Sequence, residues 1–102
     1  MEYIYLIRER EFIRLNESTY KIGGTGRSPK CCLQGYPKGT EVILFINVNN
    51  GKLMEKIIIK DFKEKFEQMK QYGTEYFNGN INRMRQLIML TILKEDSIEK
   101  KQ

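Results

Sequence analysis

Four side chains could carry chemistry in this chain: Tyr5, Tyr20, Lys21 and Glu55. A phenol or an amine can position or deprotonate an attacking water. A single carboxylate can hold a divalent cation, mostly through water, with a substrate phosphate completing the shell. A basic side chain beside them can stabilise charge that develops on a phosphoryl group. Hydrolysis of a phosphodiester is the reaction these types serve. The chain has no His, which excludes Ser-His-Asp and Cys-His catalysis and any His-ligated metal. Its cysteines, Cys31 and Cys32, are adjacent. Neighbouring cysteines rarely bridge and are too few for a zinc site. They read as free thiols of an intracellular, reducing compartment.

The elements that must position these side chains follow from local pattern. Tyr3-Ile4-Tyr5-Leu6-Ile7 is aromatic and β-branched, as a buried strand is. Tyr20-Lys21-Ile22-Gly23 reads as a second strand, antiparallel to the first, after the charged run Arg8-Glu9-Arg10-Glu11 and the turn cluster Asn16-Glu17-Ser18-Thr19. Neighbouring strand residues face opposite sides, so Tyr20 and Lys21 cannot both address one site. Gly23-Gly24-Thr25-Gly26 resembles a phosphate loop in composition only. It is followed by Arg27-Ser28-Pro29-Lys30, where that loop requires Gly-Lys-Ser/Thr. Ser28 as N-cap and Pro29 in the first turn open a short helix that stops by Gly35.

Glu41 to Val48 is nearly continuous in apolar residues and predicts a central strand covered on both faces. Asn50 is placed to cap a long helix from Lys52 to about Tyr72, with Gly73 as its terminator. At about 100° per residue, Ile58, Ile59, Phe62, Phe66 and Met69 fall within roughly 60° of Glu55. Glu55 is therefore a carboxylate on the buried face, one turn from the helix start. It either answers the helix dipole and reaches solvent there or holds a cation. A second helix covers about Ile81 to Lys94, with Met84, Leu87, Ile88, Leu90 and Thr91 packed on the body. The tail from Glu95 to Gln102 is charged and expected to fray.

At 102 residues the chain is read as one domain, residues 1–95, with a charged tail over 96–102. Its formal net charge of +5 favours a polyanionic partner such as nucleic acid. No signal peptide is visible and no apolar run approaches a membrane span.

In that order, Tyr3-Ile4-Tyr5-Leu6-Ile7, Tyr20-Lys21-Ile22-Gly23 and a Glu55 helix resemble the GIY-YIG endonuclease superfamily. The likeness is closest to its small viral and phage-type branch, whose second motif reads Lys-Ile-Gly. Leu33, Tyr36-Pro37-Lys38-Gly39 and Gly73-Thr74-Glu75-Tyr76-Phe77 also look like that branch, so the resemblance spans roughly residues 2–80.

The resemblance implies an α+β fold, a small three-stranded antiparallel sheet flanked by helices, and cleavage of DNA with Mg2+ or Mn2+. It places Tyr5 at the first-motif tyrosine, Lys21 where most of the family has the second tyrosine, with Tyr20 one position off, and Glu55 at the metal-binding glutamate. Arg27, Lys30 and Lys38 would hold the DNA backbone, and the setting would be the host cell of a virus or phage. Tyr3 replaces the first-motif Gly. The family's essential Arg falls by spacing at Cys32 or Cys31, and a thiol cannot replace a guanidinium. Asn78 and Asn80 are the candidates for the family's late Asn. Two functions follow as expectations: a metal-dependent DNA endonuclease, weakened by the missing Arg, or a relative that binds DNA without cutting. A protein-interaction module with an incidental basic surface is the third.

Overall fold

The computed structural model describes residues 1–100, with side chains described as far as Glu95. The fold is α+β. Five strands form one antiparallel sheet in the order β3-β1-β2-β5-β4. They are β1 (Glu2–Arg8), β2 (Thr19–Thr25), β3 (Glu41–Val48), β4 (Glu67–Gln68) and β5 (Tyr76–Asn78). The helices are α1 (Arg10–Arg14), α2 (Pro29–Leu33), α3 (Gly51–Lys65) and α4 (Ile81–Lys100).

β1 and β2 pair in a register that sets Tyr5 opposite Gly23 and Ile7 opposite Lys21. Alternation then divides the sheet. Ile4, Leu6, Tyr20, Ile22 and Phe77 join Met54, Ile58 and Phe62 of α3 and Met84, Ile88 and Ile92 of α4 in one core. Tyr5, Lys21, Gly23 and Tyr76 belong to the other face.

Local signals act where they are expected. Ser28 Oγ accepts from the Cys31 amide at 3.4 Å and Pro29 starts α2. Asn50 Oδ1 accepts from the Leu53 amide at 3.2 Å and caps α3. Each satisfies a first-turn N–H that has no intrahelical partner.

Several expectations are corrected. The sheet has five strands rather than three. The additional two, β4 and β5, form a hairpin that extends the sheet beyond β2. α3 ends at Lys65, not near Tyr72, because Phe66 turns extended and the chain pairs with β5 instead. The Phe66 ring packs on Phe62 at 4.9 Å and fills the space beside Gly79. Gly73 consequently closes the β4–β5 turn at φ +145° rather than ending a helix.

β3 is an edge strand, not a central one: β1 covers one side of it, and Val42 is 41% exposed. Leu90 lies outside the packed stripe of α4 at 64% exposure, while Met84, Ile88 and Thr91 are buried. The backbone of α4 continues to Lys100, through most of the stretch expected to fray. The remainder of that tail, 101–102, lies outside the described residues. Among the described residues no helix is long and apolar enough to cross a membrane.

Candidate active site

Three of the four sequence-derived candidates converge at one end of β2. β5 follows β2 only from Thr19 to Lys21. One further bond, from the Ile22 amide to the Glu75 carbonyl at 3.0 Å, ends the contact. Gly23 and Gly24 therefore continue past the end of β5, and neither carries a side chain. A Cβ on Gly23 would strike the Tyr5 ring. A Cβ on Gly24 would lie 2.7 Å from Glu55 Oε2. The glycines let Tyr5 close in from one face of the sheet and Glu55 from the other.

On the Tyr5 face a hydrogen-bonded chain forms. Lys21 Nζ donates to Tyr36 Oη at 2.8 Å, and Tyr36 Oη lies 2.9 Å from Tyr5 Oη. Lys21 Nζ also stands 3.8 Å from Glu75 Oε2 and over the Tyr36 and Tyr76 rings at 4.9 and 5.7 Å. Tyr5 is locked from behind by stacking on Phe45 at 5.7 Å and 15°. Burial first, and then the bond to Tyr36, push the Tyr5 phenol well above its ordinary value, so it stays protonated. Burial pulls the Lys21 ammonium down, but Tyr36, Glu75 and Glu9 outweigh it and hold its pKa above the ordinary value. Lys21 is consequently a fixed cation and hydrogen-bond donor, which suits it to stabilising anionic oxygen and not to removing a proton.

On the α3 face, Glu55 is half-buried and hydrogen-bonded to Glu75. Its pKa is raised, first by burial and then by the charge and hydrogen bond of Glu75; Lys21 and the Gly24 amide oppose the shift. Glu55 lines a cleft of about 200 Å³ together with Glu2, Gly24, Thr25, Gly26 and Lys52. Glu55 could hold a cation with Glu75, which is bonded to it, or with Glu2, which lines the same cleft. A pair of carboxylates fits Mg2+ or Mn2+, which keep several waters and use one or two protein carboxylates. Among the described residues there is no group of three or more His, Cys, Asp and Glu for a fuller ligand set.

Other candidates sit apart from this cluster. Tyr20 is buried in the core on the opposite face from Lys21, beneath the Arg8 guanidinium at 5.8 Å, so it cannot act with Tyr5 and Lys21. Arg27 is exposed and follows Gly26 of the cleft in sequence, with its amide bonded to Thr25 Oγ1 at 3.0 Å. Lys30 on α2 and Lys38 in the following turn are exposed. Cys32 is half-buried and close enough to Tyr5 to contribute to its raised pKa, whereas Cys31 is exposed. Asn78 donates to Thr19 Oγ1 at 3.2 Å, and Asn80 caps α4 through the Arg83 amide at 3.1 Å. Neither asparagine is placed in the cluster.

Tyr36 and Glu75 complete the site, and the sequence assigns neither of them a role. Both stand in loops next to elements, where no periodicity fixes direction. One signal is present for the neighbouring Tyr76: with Phe77 in the core, alternation sends Tyr76 to the Lys21 face. Comparison with family models, with curated proteins and with solved structures returned no match.

Proposed function

We propose that this chain is a GIY-YIG-like endonuclease that hydrolyses DNA phosphodiesters with a divalent metal. The observation that carries the reading is the convergence of Tyr5, Lys21 and Glu55 across a glycine pair, in the order and spacing of the resemblance. Glu55 and Glu75 would hold Mg2+ or Mn2+, which stabilises charge on the phosphate and lowers the pKa of a bound water. Lys21 and Tyr5, both kept protonated, donate toward non-bridging oxygens of the scissile phosphate. Tyr36 fixes their spacing. Lys52 in the cleft, with the exposed Arg27, Lys30 and Lys38 further along the chain from Gly26, would supply cations for the DNA backbone.

The test is nicking of supercoiled plasmid by purified protein with magnesium or manganese. The parent nicks, and Glu55→Ala falls to the buffer background. Equal nicking by Glu55→Ala overturns the proposal.

One observation favours a second reading, binding without cutting. Cys32, whose charge reaches Tyr5, occupies the position where the resemblance calls for an Arg. Arg8 is engaged with the Glu17 carbonyl, with Nε at 3.1 Å and Nη2 at 2.7 Å, and Arg10 pairs with Glu11. Loss of a transition-state clamp costs on the order of 10² to 10³ in rate. Cleavage by Cys32→Arg that the parent lacks would favour this second reading. Efficient cleavage by the parent would defeat it.

A further inference from the structure

A second cavity, of about 390 Å³, lies on the outer side of Tyr76 and is lined by Phe12, Leu15, Tyr72, Glu9 and Glu11. Its aromatic walls are mutually inclined. Phe12 meets Tyr72 at 4.9 Å and 67° and Tyr76 at 5.9 Å and 60°, and Tyr72 meets Tyr76 at 6.2 Å and 65°. The two phenols are fixed by carboxylates: Tyr76 Oη donates to Glu9, and Tyr72 Oη donates to Glu17 Oε2 at 3.4 Å. Glu11 pairs with its exposed neighbour Arg10 at 3.3 Å. Such an exposed pair is worth little and exchanges readily. Tyr72 and Leu15 are 42% and 68% exposed, so the cavity opens to solvent.

Chemistry of this kind selects a cation. Aromatic faces attract one through their quadrupole, and carboxylates at the rim add charge and acceptors. Phosphate is disfavoured beside Glu9, Glu11 and Glu17, even though the chain as a whole carries +5. A planar guanidinium suits the site better than an ammonium, because it stacks on a phenol ring while its fork donates to a carboxylate. We propose that this aromatic and acidic pocket is a docking site for an arginine side chain of a protein partner. The inference does not rest on the nuclease reading. The pocket meets that site at Tyr76, over whose ring Lys21 Nζ stands, and at Glu9, whose charge reaches Lys21.

The experiment follows backbone amide shifts of the full 15N-labelled chain during titration with a short arginine-containing peptide. Parallel titrations use the same peptide with citrulline, the neutral isostere, and adenosine monophosphate. Saturable shifts confined to 9–15 and 71–76 are expected with the arginine peptide, together with at least a fivefold weaker response to citrulline. Glu9→Gln and Tyr72→Ala should each weaken the arginine response severalfold. An amide spectrum of Tyr72→Ala that changes only near its contacts with Phe12, Glu17 and Tyr76 shows that the fold is kept. Equal binding of the citrulline peptide overturns the proposal. So does saturation of the pocket by the nucleotide in place of the peptide, which would make it a base-stacking site. Absence of any saturable shift overturns it as well.

Discussion

Two carboxyl groups in hydrogen-bond contact must share a proton or a cation, and Glu55 and Glu75 are in such contact. Lys21 answers Glu75 at 3.8 Å, and the balance still favours a proton on Glu55, whose pKa is raised by burial and by Glu75. The sign of the consequence follows from linkage. The folded chain binds the Glu55 proton more tightly than the unfolded chain does. Between the usual carboxylate range and the raised value it therefore carries more protons, and stability falls as pH rises through that window. Glu55→Gln removes the group that must ionise and leaves an amide that can donate to Glu75. In metal-free buffer at neutral pH this variant should melt above the parent. The gap should close as pH falls into the usual carboxylate range. Magnesium should reverse the order, because only the carboxylate gains from the cation. Calorimetry across pH with and without metal checks all three. A variant that melts below the parent at every pH without metal would show that Glu55 is a structural acceptor instead.

At the scale of elements, α3 connects the core to the site: its first turns carry Glu55 and its middle carries Ile58 and Phe62. Phe62 is fully buried and meets Phe66 at 4.9 Å and Phe77 at 5.3 Å, so it ties α3 to the β4–β5 hairpin. Phe62→Ala should cost about 3–5 kcal/mol, read as a lower urea midpoint with an unchanged slope. A cost below about 1 kcal/mol would mean that the hairpin packs without it. The hairpin is also where the sequence is least legible. β1, β2, β3 and the caps of α2 and α3 have local signatures, namely apolar strand runs, Ser28 with Pro29, and Asn50. β4 and β5 span two and three residues, and β4 directly follows a helical pattern. Their pairing comes from contacts distant in sequence, which no local window contains. β3 misleads for a related reason: an apolar run cannot say whether its neighbours lie on one side or two. In the site, alternation separates Lys21 from Tyr20 and periodicity places Glu55, whereas Tyr36 and Glu75 depend on how loops return to the sheet.

At the scale of the molecule, Glu9, Glu11 and Glu17 gather at the aromatic pocket, while Lys52 lines the cleft of Glu55 and Glu2, and exposed Arg27 follows Gly26 of that cleft in sequence. An incidental excess of cations would bind DNA diffusely. A functional one would concentrate its phosphate contacts at the cleft rim. The two differ in how binding responds to salt, since each phosphate contact contributes about 0.9 to the slope of log K against log salt. Neutralising Arg27, Lys30, Lys38 and Lys52 to glutamine should flatten that slope by one such increment for every phosphate deprived of its cation. Lys63 and Lys65 provide the control. They are exposed at the far end of α3, roughly 16 to 20 Å along its axis from Lys52 at 1.5 Å per residue. Their neutralisation should leave the slope nearly unchanged. Duplex binding followed by fluorescence anisotropy between low and physiological salt separates the outcomes. Equal flattening per charge removed by the two sets would mean that net charge alone holds the DNA, and the cleft would lose its claim to be the nucleic-acid face.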